Sequence, residues 1–149
     1  MALDTTETRL ARLEAILDAH AGREGPLLPI LHDVQAAFGC VPAEAIPRIA
    51  DRQNLTRAEV HGVVSFYHDF RDAPAGRVVV RICRAEACKA VGSDALAAAA
   101  EARCGVKMGE TAPGGSVTLE PVYCLGLCAC GPAAMVDGEI LGRMDAARL

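Results

Sequence analysis

RVVVRICRAEAC, residues 77–88, decides how the chain is read. Its first seven residues are rich in β-branched side chains and predict a strand. The strand ends on Cys83, and Cys88 follows at a C-x4-C spacing. The same arrangement recurs downstream. SVTLEPV (116–122) predicts a second strand, and YCLGLCACG (123–131) places Cys124 and Cys128 at C-x3-C immediately after it. If the two strands pair side by side in one orientation, both cysteine pairs emerge at the same edge of the sheet. Four thiols then converge on one site, carried by loops whose bases the sheet holds fixed.

The spacings bear on what four thiolates would bind. Zinc knuckles are typically C-x2-C, tight enough for two ligands to bracket one ion. The x4 and x3 spacings are wider and suit a [2Fe–2S] cluster, in which each of two irons takes two cysteines. Zinc stays open as the alternative, in the form of a zinc-stabilised interaction module. An oxidised two-iron centre with four thiolates carries a charge of roughly −2, so nearby backbone N–H donors are needed to offset it. Gly126, Gly131 and the small Ala129 are expected to let the backbone approach the sulfurs. The other three cysteines read differently. Cys40, in a helical turn, and Cys104, at a helix end, are expected to pack in the interior. Cys130 is a fifth thiol beside the cluster loop, read as a nearby non-ligand, with a ligand role as the alternative.

Around this core of motifs the second half reads β-α-β-β. An Ala-rich helix spans about Ser93 to Arg103 and stops near Gly105. A polar loop covers 109–115, and AAMV with EILGRM forms a hairpin around Asp137-Gly138. The first half reads as helices. Leu10, Leu13, Ile16 and Leu17 share one helical face, with Asp4 and Glu7 as a capping box. Leu28, Leu31, Val34 and Phe38 mark a second helix, opened by Pro29 and closed by Gly39. A third helix fits PAEAIPRIADRQ (42–53), with Ile46, Ile49 and Ala50 on one side and Pro47 expected to bend or shorten it. A fourth has a capping box at Thr56 and Glu59, a staple of Leu55 and Val60, and a face of Val60, Val63, Val64 and Tyr67. RDAPAG (71–76) is the boundary. The expectation is an α+β protein with a helical domain over 1–75 and a smaller α/β domain over 76–149.

Composition excludes several classes. Fifteen Lys and Arg against nineteen Asp and Glu leave a net charge of −4, and only 3% of residues are aromatic. Neither suits nucleic acid, which calls for clustered positive charge and stacking rings. Hydrophobic residues make up 52%, 28 of the 149 residues being Ala, which is too apolar for a disordered chain. The start, MALDTTETRL, has no basic region leading an apolar stretch, and no apolar run approaches the roughly 20 residues of a membrane span. A cytoplasmic location is therefore expected. Seven cysteines, an odd number, then point to metal or redox chemistry and away from a disulfide framework. No C-x-x-C is present, which weighs against a thiol oxidoreductase. His20, His32, His61 and His68 fall on predicted helices without a paired nucleophile and read as surface or packing residues. No phosphate-binding glycine fingerprint occurs, and no catalytic residue is assigned.

LPILHDVQAAFGCVP, LTRAEVHGVVSFYHDFR, RICRAEAC and YCLGLCACGPAAMVDGEILGRM occur in this order along the chain. In these blocks the sequence resembles the small thioredoxin-like [2Fe–2S] subunit of NADH-linked flavoprotein modules. That family includes the small flavoprotein-fraction subunit of respiratory complex I and its counterparts in NAD-reducing hydrogenases and soluble NAD-dependent formate dehydrogenases. The resemblance implies an N-terminal helical bundle followed by a thioredoxin-like domain. It implies Cys83, Cys88, Cys124 and Cys128 as the ligands of one [2Fe–2S] cluster, and one-electron transfer, without catalysis, beside a partner. The partner is a flavin- and NAD-binding iron–sulfur subunit, with FMN and NAD bound there, and a larger catalytic subunit completes the complex. The helical half is then read as a docking surface, the alternative being a bundle that only stabilises the small domain. Leu127, Ala129 and Cys130 depart from the complex I pattern, and CLGLCA looks most like the gamma subunit of formate dehydrogenase.

Overall fold

The computed structural model describes residues 6–148, so Asp4, read as half of a capping box, lies outside the described residues. The chain divides after Pro74 into two compact units.

The first unit holds four helices: α1 (Thr6–Ala19), α2 (Leu27–Phe38), α3 (Ala45–Gln53) and α4 (Arg57–Phe66). Their apolar stripes meet in one core of large aliphatic side chains, with Leu13, Leu17, Ile30, Leu31, Val34, Ile49 and Val60 buried together. Burying such side chains contributes about 1.5–3 kcal/mol each, which stabilises short helices that would not persist alone. Gly39 ends α2 in the left-handed region at φ 77°, its N–H on the Gln35 carbonyl. Helix α4 opens on the expected reciprocal cap. The Thr56 hydroxyl accepts from the Glu59 N–H, and the Glu59 carboxylate accepts from the Thr56 N–H at 2.8 Å.

Three expectations for this unit need correction. The third helix starts at Ala45, three residues later than Pro42, so it is shorter than the 42–53 reading, one of the two effects expected of Pro47. Pro47 is the third residue of the helix, where a backbone N–H has no partner to lose. Tyr67 is not on the buried face of α4. The helix ends at Phe66, so Tyr67 leaves the helical register and lies 43% exposed, edge-on to Phe66 and Phe70. His20 and His68 lie in turns just beyond α1 and α4. His20 is buried and bonds Asp33 through Nε2 at 2.7 Å, and His32 packs against the Phe70 ring.

The second unit is a four-stranded sheet in the order β2-β1-β3-β4, built from β1 (Val78–Cys83), β2 (Val117–Val122), β3 (Ala134–Val136) and β4 (Glu139–Leu141). Strands β1 and β2 run parallel, joined through α5 (Glu86–Ala90) and α6 (Ser93–Cys104), and the remaining pairings are antiparallel. A parallel pair needs such a crossover, and the Ala-rich helix supplies it. Ile82 and Leu119 from the sheet pack with Leu96, Ala97 and Ala100 of α6, where small side chains permit close approach. The β3–β4 turn has Asp137 and Gly138 both at positive φ, as a two-residue hairpin turn requires. Asp137 also clamps β1, its carboxylate accepting the Val79 N–H at 2.8 Å. The short helix α5 was not foreseen. The last strand is shorter than EILGRM implies, because the backbone turns at Arg143, φ 51°. Among the described residues no helix is long and apolar enough to cross a membrane.

Candidate metal centre

Parallel pairing sets Cys83 opposite Val122, the last residues of β1 and β2. Both following segments therefore leave the sheet at one edge, as the strand reading anticipated. Cys88 rides on α5, and Cys128 opens a 3-10 turn over Cys128–Cys130. Cys83 and Cys88 are 1% and 2% exposed, packed with Ala133 and flanked by Ala85, Val122, Leu125 and Leu127. Cys124 and Cys128 are exposed, with their sulfurs 3.6 Å apart. Two thiolates on one tetrahedral ion with sulfur bonds near 2.3 Å would stand about 3.8 Å apart, so this pair is spaced for a shared metal. Among the described residues no three His, Cys, Asp or Glu side chains gather around a single ion position. The thiols form two pairs, and two pairs are what a two-iron cluster requires.

The electrostatics fit the same group. Burial pushes the Cys83 thiol up, but N–H donors from Ala85, Cys124 and Leu125 and the Cys88 side chain outweigh it and bring it below its ordinary value. Cys88 is pushed up by burial and by the neighbouring Cys83, against the Ala133 N–H donating to it. Cys128 is pushed up first by Cys124. Thiols that raise one another need a positive centre before all can be thiolates, and a ferric pair supplies it. Backbone N–H donors then spread the remaining negative charge, the role expected of this loop.

The glycines divide. A Cβ on Gly131 would stand 3.3 Å from the Cys88 sulfur and 2.9 Å from Val91 Cγ2, so the close approach there is real. A Cβ on Gly126 would meet nothing within 4 Å. Gly126 serves the turn instead, at φ 79°, in the same left-handed region as Cys124 before it. Cys40 is buried in the helical unit, and burial raises its thiol pKa. Cys104 is only half-buried at the end of α6, where an interior position was expected. Cys130 is half-buried, its carbonyl accepting the Arg143 N–H.

Two residues at the site escaped the sequence reading. The Ser93 hydroxyl, fully buried, donates to the Cys83 carbonyl and ties the end of β1 to the start of α6. Ala133 packs against the buried pair, its carbonyl accepting the Cys83 N–H at 2.9 Å. Neither carries a spacing signal, since Ser and Ala at loop and helix starts are commonplace.

Comparison with known proteins gives a consistent answer. The family described as thioredoxin-like [2Fe-2S] ferredoxin matches residues 13–149. NADP-reducing hydrogenase subunit HndA of Solidesulfovibrio fructosivorans is 33% identical over 82% of this chain and 71% of its own length. A subunit of the NADH-quinone oxidoreductase of Rhizobium meliloti (strain 1021) is 32% identical over 95% of this chain and 84% of its own. A solved NAD+-reducing [NiFe]-hydrogenase in the air-oxidized state superposes with a TM-score of 0.69 at 27% identity, over 83% of this chain and 21% of the matched one. This chain thus spans about a fifth of that hydrogenase polypeptide. With paired thiols at one sheet edge and matches that run through both units, the chain belongs to the thioredoxin-like [2Fe-2S] ferredoxin family, and its cofactor is a [2Fe–2S] cluster.

Proposed function

We propose that the chain is an electron-transfer subunit of an NAD(H)-linked oxidoreductase complex, with Cys83, Cys88, Cys124 and Cys128 as the four cluster ligands. The observation that carries this reading is the pair of pairs: two buried thiols and two exposed thiols at one edge of a parallel β1–β2 ladder. When bound, the cluster takes up and releases one electron. The chain's own residues do the rest. The cysteines hold the irons, and Ala85, Cys124, Leu125 and Ala133 direct N–H groups at the sulfurs. Leu125 and Leu127 dry the buried side. The exposed pair leaves an edge open toward a redox partner.

The domains divide the work in this reading. Residues 76–149 carry the cluster, and residues 1–75 form a docking surface. The partners are a flavin- and NAD-binding iron–sulfur subunit and a larger catalytic subunit, in keeping with relatives named as subunits of hydrogenases and NADH-quinone oxidoreductases. Within the family, the parent complex proposed is a soluble, cytoplasmic NAD-dependent formate dehydrogenase. The support is CLGLCACG, where Leu127, Ala129 and Cys130 stand. The test is anaerobic purification of the chain from its native source with whatever it binds. A co-purifying flavin subunit, with the cluster reduced by NADH, supports the role, and a complex without flavin or NADH response contradicts it. Formate-dependent NAD reduction by that complex supports the narrower assignment. Hydrogen- or quinone-linked activity in its place would move the chain to one of the sister complexes.

A further inference from the structure

Both buried thiols lie in one loop. It leaves β1 at Cys83, passes through the short helix α5 that carries Cys88, and enters α6 at Ser93. Two side-chain bonds close the ends of this loop on each other. The Ser93 hydroxyl donates to the Cys83 carbonyl. One residue further on at each end, the Arg84 guanidinium meets the Asp94 carboxylate at 2.7 Å. The first of these bonds is dry, because Ser93 is fully buried and Cys83 nearly so. The second lies nearer the surface, where the Asp94 side chain is exposed.

The dry bond acts on the backbone of Cys83. The Cys83 carbonyl and the Arg84 N–H belong to one planar trans amide and point in opposite directions. Ser93 holds the carbonyl, and the Val122 carbonyl at the end of β2 accepts the N–H at 2.7 Å. The amide on the other side of Cys83 is held through the Cys83 N–H, which donates to the Ala133 carbonyl at 2.9 Å. Two fixed peptide planes that meet at one Cα set its φ and ψ, and with them the direction of its Cβ. Only χ1 then remains to place the Cys83 sulfur. The two N–H holds are main-chain bonds that most residues could make. The hold on the carbonyl depends on one hydroxyl. Groups that orient a metal's ligands from behind commonly control how well the metal is kept.

We propose that Ser93 is a positioning residue of the cluster site, its hydroxyl fixing the direction in which Cys83 presents its sulfur to the metal. The inference rests on the reading of Cys83 as a ligand. Ser93 acts through the Cys83–Arg84 peptide, so the role belongs to the hydroxyl and not to the volume of the side chain. Alanine at this position leaves a buried carbonyl without its donor. The peptide is then free to rotate, and the geometry around one iron changes with it.

The experiment uses the full chain with its cluster, as wild type, Ser93→Ala and Ser93→Thr, with Cys83→Ala in parallel. Iron and sulfide are counted, the reduced cluster is examined by EPR, and iron release to a chelator is timed. Ser93→Ala is expected to load, to show shifted g-values, and to release iron about tenfold faster, the scale on which such ligand-orienting groups act. Ser93→Thr keeps the hydroxyl and is expected to return both readouts toward wild type. A loaded Ser93→Ala with wild-type g-values would overturn the proposal whatever its release rate, because Ser93 would then only brace the loop. A threonine variant as perturbed as the alanine one would overturn it too, since packing and not the hydroxyl would be at work. If Ser93→Ala does not load, Ser93→Thr decides. A wild-type signal there supports the proposal, and an empty site or a shifted signal overturns it. A normal cluster in Cys83→Ala would instead strike the ligand reading beneath it.

Discussion

The two units of this chain are stabilised in different ways. The helical unit rests on large aliphatic side chains contributed by all four helices. The second unit has a core with several alanines, two strands of only three residues, and a third cluster of Cys83, Cys88 and Ala133 where a core would otherwise continue. The sulfurs of that third cluster need a metal to be satisfied as thiolates. Charge divides the same way. Up to Pro74 the chain has seven basic and eleven acidic residues, and from Ala75 onward eight of each. The whole acidic excess thus lies outside the unit that hosts an anionic centre, where like charge would oppose reduction. One unit is a hydrophobic scaffold, and the other is an electrically neutral shell completed by its cofactor.

The contrast can be broken most sharply at the proposed cluster cysteines. Cys83→Ala or Cys124→Ala is expected to abolish the cluster's visible absorbance, while Cys40→Ala, in the other unit, leaves it unchanged. Absorbance spectra of the three purified variants check this, and a normal spectrum in Cys124→Ala would sink the assignment unless Cys130 had taken its place. Ile49→Ala attacks the opposite unit. Removing a fully buried Ile side chain is expected to cost about 2–5 kcal/mol of helical-unit stability without bleaching the cluster. Thermal unfolding followed by far-UV circular dichroism and by cluster absorbance separates the two responses. Coincident loss of both signals would refute the division.

Gly131→Ala is a smaller intervention. The added methyl meets Val91 and the Cys88 sulfur, an overpacking worth about 1–3 kcal/mol. Faster loss of iron to a chelator, with the helical signal intact, is the expected result. The smallest effect concerns Glu59. Hydrogen bonds from the Thr56 backbone and hydroxyl hold its carboxyl below its ordinary 4.5. A lowered folded-state value means the stabilisation is present above 4.5 and is lost as pH falls through the folded value. Wild type and Glu59→Gln should therefore differ in melting temperature at neutral pH and converge in acid, and a difference independent of pH would remove the charge from the cap.

Legibility in the sequence followed the range of the forces involved. The Thr56–Glu59 cap, the Gly39 stop and the Asp137-Gly138 turn are local, and each was readable from residues within four positions. The two cysteine pairs were readable because each follows a strand, and the parallel register makes both following segments leave the sheet at one edge. What escaped depends on contacts remote in sequence. Ser93 reaches Cys83 across ten residues, and Arg143 and Met144 return to the cluster loop through a turn that β-propensity had assigned to strand. Tyr67 was misjudged for another reason: its reading depended on where α4 ends, and the helix stops one residue before it. Gly126 looked like a close-approach glycine by its position between Cys124 and Cys128, yet its role is conformational.

The central claim is that four cysteines of the second unit hold a two-iron cluster. Iron, acid-labile sulfide and zinc per chain, measured on protein purified without oxygen, with an EPR spectrum after dithionite reduction, test it most directly. The account predicts about two irons and two sulfides per chain and an axial or rhombic S = 1/2 signal. One zinc with no sulfide, persisting after anaerobic reconstitution, would contradict it.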